Sequence, residues 1–138
     1  MFLEKSDLKT KLAEYQIEAI TEGDDSIVNN AIMAGIEEVR SYLLGRYDVE
    51  QIFSQTGDNR NKLLLEYTKD CAIWHLISSS HSDIIYENVL TRYDRAIQFL
   101  SKTQAGKVTI DLPAAMNDKG NEITTIRGGS MPPQNYNW

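Results

Sequence analysis

Residues 25–46 read DSIVNNAIMAGIEEVRSYLLGR, and this stretch decides the fold class. Its apolar side chains recur every three or four residues, which is the spacing of an amphipathic α-helix. The preceding Gly23 and Asp24 predict a chain break followed by an N-cap. Gly35, in the middle of the stretch, costs about 1 kcal/mol relative to alanine. We therefore expect a second helix to pass close to Gly35, because a glycine lets another backbone approach.

Further helices are predicted on both sides of this stretch. Residues 60–79 carry apolar side chains around much of the helix circumference, so we expect this helix at the centre of a bundle, with Trp74 buried. Residues 83–104 carry an apolar stripe, and the helix is terminated by Gly106. Near the N-terminus, a short helix is predicted over residues 7–15.

The predicted fold class is all-α: a small helical bundle of three long helices plus a short N-terminal helix, with a C-terminal β-hairpin and an extended arm. The bundle domain is predicted to cover residues 1–106. Beyond it, residues 107–112 and 122–127 alternate between apolar and polar side chains around a turn sequence, which predicts a β-hairpin over residues 107–127. Residues 128–138 are rich in Gly, Pro and Asn, which predicts an extended C-terminal arm.

The C-terminal arm is predicted to be a docking element. Such a segment cannot by itself bury enough apolar area to offset the entropy lost when it is ordered. Pro132 and Pro133 would lower that loss by extending the segment in advance. Tyr136 and Trp138 would serve as anchors, because aromatic residues dominate interface hot spots. We expect these four residues to bind a neighbouring copy or a partner protein; the alternative is the chain's own domain surface.

The composition is that of an ordinary soluble globular protein, since 41% of the 138 residues are hydrophobic and 25% are charged. The formal net charge is -6 and no basic run occurs, which disfavours binding to nucleic-acid phosphates. No segment approaches the ~18 apolar residues of a membrane span, and the N-terminus lacks the pattern of a signal peptide. The single cysteine, Cys71, is predicted to be a buried, inert thiol in a reducing cytoplasm.

No catalytic, cofactor-binding or metal-binding motif is recognisable. His75 and His81 are six residues apart, whereas a helical metal pair needs a spacing of about three or four. Glu37 and Glu38 lack the Glu-x-x-His companion of a di-iron bundle. Residues 117–122 superficially look like a calcium loop but lack its alternating oxygen ligands. We therefore expect no enzyme activity, no cofactor and no metal site.

Two segments carry a resemblance to a known family. Residues 41–49 (SYLLGRYDV) end the first long helix, and residues 92–100 (RYDRAIQFL) are followed by residues 106–108 (GKV). In this order and spacing they resemble the head-completion or head-tail connector (adaptor) proteins of tailed phages, relatives of phage Mu-type neck proteins. The similarity covers about residues 3–112. Glu50 stands where the family usually has proline, and the C-terminal segment here is longer than is typical.

The resemblance implies a virion structural protein that forms a ring, commonly of twelve copies, under the portal and joins the capsid to the neck or tail. Its partners would be its own copies, the portal protein and a downstream neck or tail protein, with genomic DNA only as cargo through the pore and no membrane. Its location would be the virion neck, and the host cytoplasm during assembly. The alternatives are another neck or tail-completion (stopper) protein, an unrelated helical interaction module and, less favoured, a DNA-binding helical regulator or an enzyme.

From the residues alone, Arg46 and Tyr47 are interpreted as a helix C-terminal cap rather than a direct partner contact. An arginine at this position meets the negative end of the helix dipole.

Overall fold

The computed structural model describes residues 1–79 and 87–115. Five α-helices follow one another: α1 (Glu14–Thr21), α2 (Asp25–Leu43), α3 (Val49–Ser54), α4 (Lys62–Ser79) and α5 (Glu87–Gln104). The described residues also contain two short 3-10 helices, Lys5–Thr10 and Gly57–Asn59. Helix makes up 72% of the described part, which contains no β-strand, so the all-α prediction is confirmed.

Helix α2 begins as its sequence predicts. The Asp24 side chain accepts a hydrogen bond of 2.9 Å from the Ser26 backbone N–H, which satisfies one of the free donors at the helix start. Hydrogen bonds from the Ser26 hydroxyl and backbone lower the pKa of Asp24. The helix ends at Leu43, three residues before the predicted end at Arg46, because the chain turns there through Gly45 at φ +92°.

The crossing of α2 and α4 confirms the prediction made for Gly35. A Cβ atom on Gly35 would lie 2.8 Å from both the Cα and the N atom of Ala72 in α4. The two backbones are therefore in direct contact, and this contact needs a residue without a side chain. Helix α4 lies at the centre of the bundle, as predicted, since Leu64, Cys71 and Leu76 are all completely buried.

Trp74 is less buried than the sequence predicted. Its side chain is half-buried and stacks on Tyr93 of α5, with ring centroids 5.0 Å apart. A large ring with a polar N–H is often placed at the rim of a core, where one edge remains near water.

A second aromatic pair shows the relative direction of α4 and α5, since Tyr67 of α4 stacks on Phe99 of α5 with ring centroids 4.7 Å apart. As residue numbers rise along α4 they fall along α5, so the two helices are antiparallel.

The single N-terminal helix predicted over residues 7–15 is replaced by two shorter elements. The 3-10 helix ends at Thr10, and α1 begins only at Glu14. Two pairs of apolar side chains, in and around this break, are buried in the core. The side chains are Leu8, Leu12, Ile17 and Ile20.

The first strand of the predicted β-hairpin, residues 107–112, is not formed. Ile110 is buried and its neighbours Thr109 and Asp111 are exposed, so the alternation of the sequence is real. The Ile110 N–H, however, donates to the Tyr47 hydroxyl, and the Lys107 and Leu112 N–H groups bond to nearby carbonyls, so the described backbone of this segment has no strand geometry. The rest of the hairpin and the arm at residues 128–138 lie outside the described residues, as does the start of the helix predicted at Asp83.

Within residues 1–79 and 87–115, no helix combines the length and the apolar character that a membrane span requires.

Candidate functional site

The two segments that carry the sequence resemblance meet at one place, which we call the C-terminal joint (residues 44–48 and 104–115). The Arg46 Nε–H donates a hydrogen bond of 2.7 Å to the backbone carbonyl of Gln104, at the end of α5. Gly106 has φ +80°, and a Cβ atom there would lie 3.2 Å from the Arg46 guanidinium. Arg46 therefore caps the C-terminus of α5, whereas the sequence predicted a cap at the end of its own helix, α2.

Tyr47 and its neighbours fix the chain that follows α5. The Tyr47 ring is buried, and its hydroxyl accepts a hydrogen bond of 3.2 Å from the Ile110 N–H. Two backbone bonds run along the same path: Asp48 N–H to the Pro113 carbonyl at 2.9 Å, and Ala115 N–H to the Arg46 carbonyl at 3.1 Å. The direction of the C-terminal segment is thus set by three hydrogen bonds to residues 46–48.

A cleft lies beside the C-terminal joint, with a volume of about 410 Å³. Four of its lining side chains are amides, and we call it the amide-lined cleft. Its lining residues are Gln51, Ile52, Gln55, Asn59, Arg60, Asn61, Asp111, Leu112 and Pro113. It therefore combines α3, the turn into α4 and the segment that leaves the bundle.

Arg60 lines this cleft and also forms hydrogen bonds to the N-terminal segment. Its Nη1 donates to Asp7 Oδ2 at 2.7 Å and to the Phe2 carbonyl at 2.9 Å, while its Nη2 donates to Asp7 Oδ1 at 3.2 Å. Burial favours the neutral form of Asp7, but the hydrogen bonds from Arg60 and from the Glu4 N–H outweigh burial, and the pKa of Asp7 is lowered. Arg60 is thus engaged within the molecule.

A polar cluster joins the three long helices. Glu38 Oε2 of α2 accepts a hydrogen bond of 2.6 Å from the Tyr93 hydroxyl of α5. The other carboxylate oxygen of Glu38, Oε1, lies 2.8 Å from His75 Nε2 of α4. Burial, together with the hydrogen bond to Glu38, raises the pKa of Tyr93 far above its usual range, so its hydroxyl stays protonated and donates. The cluster cross-links the bundle.

A second polar cluster holds the N-terminal 3-10 helix against α4. The buried ammonium of Lys69 donates to Glu66 at 2.7 Å and to the Thr10 hydroxyl at 3.1 Å. Asp70 is also buried; the Lys11 ammonium lies 3.4 Å from its Oδ1, yet no described group donates a hydrogen bond to that oxygen. Burial raises the pKa of Asp70, and Lys11 only partly opposes this effect.

The side chains that could bind a metal ion or react chemically do not form a cluster in the described part of the chain. Among the described residues, no three His, Cys, Asp or Glu side chains are grouped as they would be around a metal ion. Cys71 is fully buried, as predicted, and burial raises the pKa of its thiol above its usual range. His81 and the predicted interface residues Pro132, Pro133, Tyr136 and Trp138 lie outside the described residues.

Sequence reasoning missed the contacts that matter most here. The partners of Arg60 and Glu38 lie 53, 37 and 55 residues away along the chain, so no local spacing could reveal them. The joint at Arg46 had a signal in the sequence, since residues 44–48 and 106–108 belong to the segments quoted for the resemblance.

Comparison with known protein families gives a match over most of the chain. The model of the family described as bacteriophage Mu, Gp36 matches residues 2–126. No curated protein and no solved structure matches the chain.

Proposed function

Because the chain belongs to the bacteriophage Mu Gp36 family, we propose that it is a virion structural protein, a head-to-tail connector (adaptor). In this proposal twelve copies form a ring under the portal, and the ring joins the capsid to the next neck or tail protein. The match covers most of the chain, including both segments of the C-terminal joint.

The C-terminal joint is the observation that carries the proposal. A connector needs a rigid block that presents a segment to its neighbours in a fixed direction. Here Arg46 and Tyr47 join the ends of α2 and α5 and set the path of residues 110–115. Arg46, Tyr47 and Gly106, which belong to the segments quoted for the resemblance to connector proteins, are therefore part of the joint that directs the C-terminal chain.

The charge of the chain is compatible with a ring through which DNA passes. A net charge of -6 offers phosphates few counter-ions, so the genome would slide through the pore without being held. The proposal accordingly includes DNA only as cargo. It includes no enzyme activity, cofactor or membrane; the partners are its own copies, the portal protein and a downstream neck or tail protein.

Deletion of the gene from the phage that encodes the chain tests the proposal. We expect DNA-filled heads and separate tails, because the connection between them is lost, and we expect a plasmid copy of the gene to restore infectious particles. The protein should be found in the virion neck, and in the host cytoplasm during assembly. Defective tails with normal heads would favour the tail-completion alternative, and normal particles would contradict both.

A further inference from the structure

We propose that the amide-lined cleft binds the segment at residues 128–138 of a second copy of the chain. The inference rests on the proposed function, which makes the protein self-assembling. It assigns a receptor surface to the C-terminal arm, with Pro132 and Pro133 in the cleft.

The hydrogen-bonding groups of the cleft fit an extended backbone. The side-chain amides of Gln51 and Asn59 make no hydrogen bond with another described residue, whereas Asn61 is held within the molecule, since it donates to the Asp111 carbonyl at 3.2 Å and accepts from the Leu64 N–H at 2.9 Å. Each unengaged amide offers both donors and an acceptor. An extended peptide has unpaired carbonyl and N–H groups that need such partners, and prolines present carbonyls only.

The charges of the cleft select a neutral occupant. The Arg60 guanidinium is committed to Asp7 and to backbone carbonyls, so it offers no free charge to a phosphate. Asp111 is exposed beside it and repels anions. Residues 128–138 contain no charged side chain, so the segment enters without an electrostatic penalty.

The size and apolar surface of the cleft fit a short stretch that contains proline. A volume of about 410 Å³ lies within the range of about 300–1,000 Å³ that is typical of ligand pockets. Leu112 and Pro113 provide an apolar wall for the rings of Pro132 and Pro133. Consecutive prolines favour an extended backbone in the unbound chain, which lowers the entropy lost on binding.

The path of the chain favours a second copy over the same molecule. Asp111 lies at the cleft, next to Asn61, but the following residues run along residues 48 to 46, and Ala115 is bonded to Arg46 near the end of α5. The chain is therefore directed away from its own cleft. The residues between 115 and 128 can span at most about 45 Å, which exceeds the radius of gyration of about 13 Å for a domain of this size, so a neighbouring copy lies within reach. A return to the chain's own cleft is the alternative outcome of the mixing experiment below.

A disulfide cross-link tests this docking. We would introduce Asn59→Cys in the cleft and Gln134→Cys in the arm, in the full-length chain within assembled particles. Mild oxidation should move most of the protein from the 15.7-kDa position to about twice that mass or higher on a non-reducing gel. The native Cys71 does not compete, because it is fully buried. The matched control pairs Gln134→Cys with Thr91→Cys, an exposed position in the first half of α5, and should stay monomeric.

Mixing identifies the donor of the arm. When one copy carries only Asn59→Cys and the other only Gln134→Cys, a dimer forms only if the arm crosses between molecules. A disulfide within one monomer would overturn the second-copy assignment, and the absence of any cross-link in particles that contain the protein would overturn the docking itself while leaving the proposed function intact. A chain that never enters particles would overturn both.

Discussion

Replacement of Gly35 by alanine tests the central packing contact. The added Cβ would lie 2.8 Å from two backbone atoms of Ala72, which cannot rotate away as a side chain could. Overpacking costs about 1–3 kcal/mol, and contact with backbone places this case near the upper end. Alanine recovers about 1 kcal/mol of helix propensity. We therefore expect Gly35→Ala to lower the free energy of unfolding by about 2 kcal/mol.

Urea unfolding followed by far-ultraviolet circular dichroism measures this loss. For a slope near 2 kcal/mol per M, the midpoint should fall by about 1 M. Asn30→Ala is the matched control, because it changes propensity at an exposed position of the same helix, and it should stabilise the protein by a few tenths of a kcal/mol. If Gly35→Ala instead stabilised the protein by about 1 kcal/mol, the close crossing of α2 and α4 would be refuted.

Arg46→Lys should lower the free energy of unfolding by about 1 kcal/mol, because the ammonium keeps the charge but not the fixed hydrogen bond to Gln104; urea unfolding would check it. The lowered pKa of Asp7 contributes stability that is lost as pH falls below about 4, so Asp7→Asn should remove that part of the acid dependence seen in unfolding curves. The raised pKa of Asp70 acts in the opposite direction, so Asp70→Asn should stabilise the protein at pH 7, and this gain should disappear as pH falls below the unfolded pKa of about 4. Truncation after Arg127 should leave the melting temperature unchanged and abolish assembly in a complementation assay; unfolding of the truncated chain would contradict the docking role of the arm.

The long helices were predictable because the spacing of their apolar residues along the sequence determines which face of each helix packs into the core. Helix α2 shows this most clearly, since its apolar period gave the helix and Gly35 gave the crossing with Ala72. The N-terminal region was not predictable in the same way. Its break between Thr10 and Glu14 is decided by which side chains reach the core, and that depends on where α2 and α4 lie.

The C-terminal segment shows why alternation alone does not predict a strand. Residues 107–112 do alternate between inside and outside, with Ile110 buried, but a strand also needs a partner ladder. In the described part of the chain, the Ile110 N–H bonds to the Tyr47 side chain, and residues 113 and 115 bond to residues 48 and 46. The amide-lined cleft was also invisible in the sequence, because its walls come from three separate segments.

The position of the protein in the assembled particle tests the account most directly. A cryo-electron microscopy reconstruction of the phage neck should show a ring of twelve helical subunits under the portal, with the C-terminal joint of each subunit turned towards its neighbour. A particle whose neck lacks this chain, or one in which the chain is found only in the tail, would contradict the connector function.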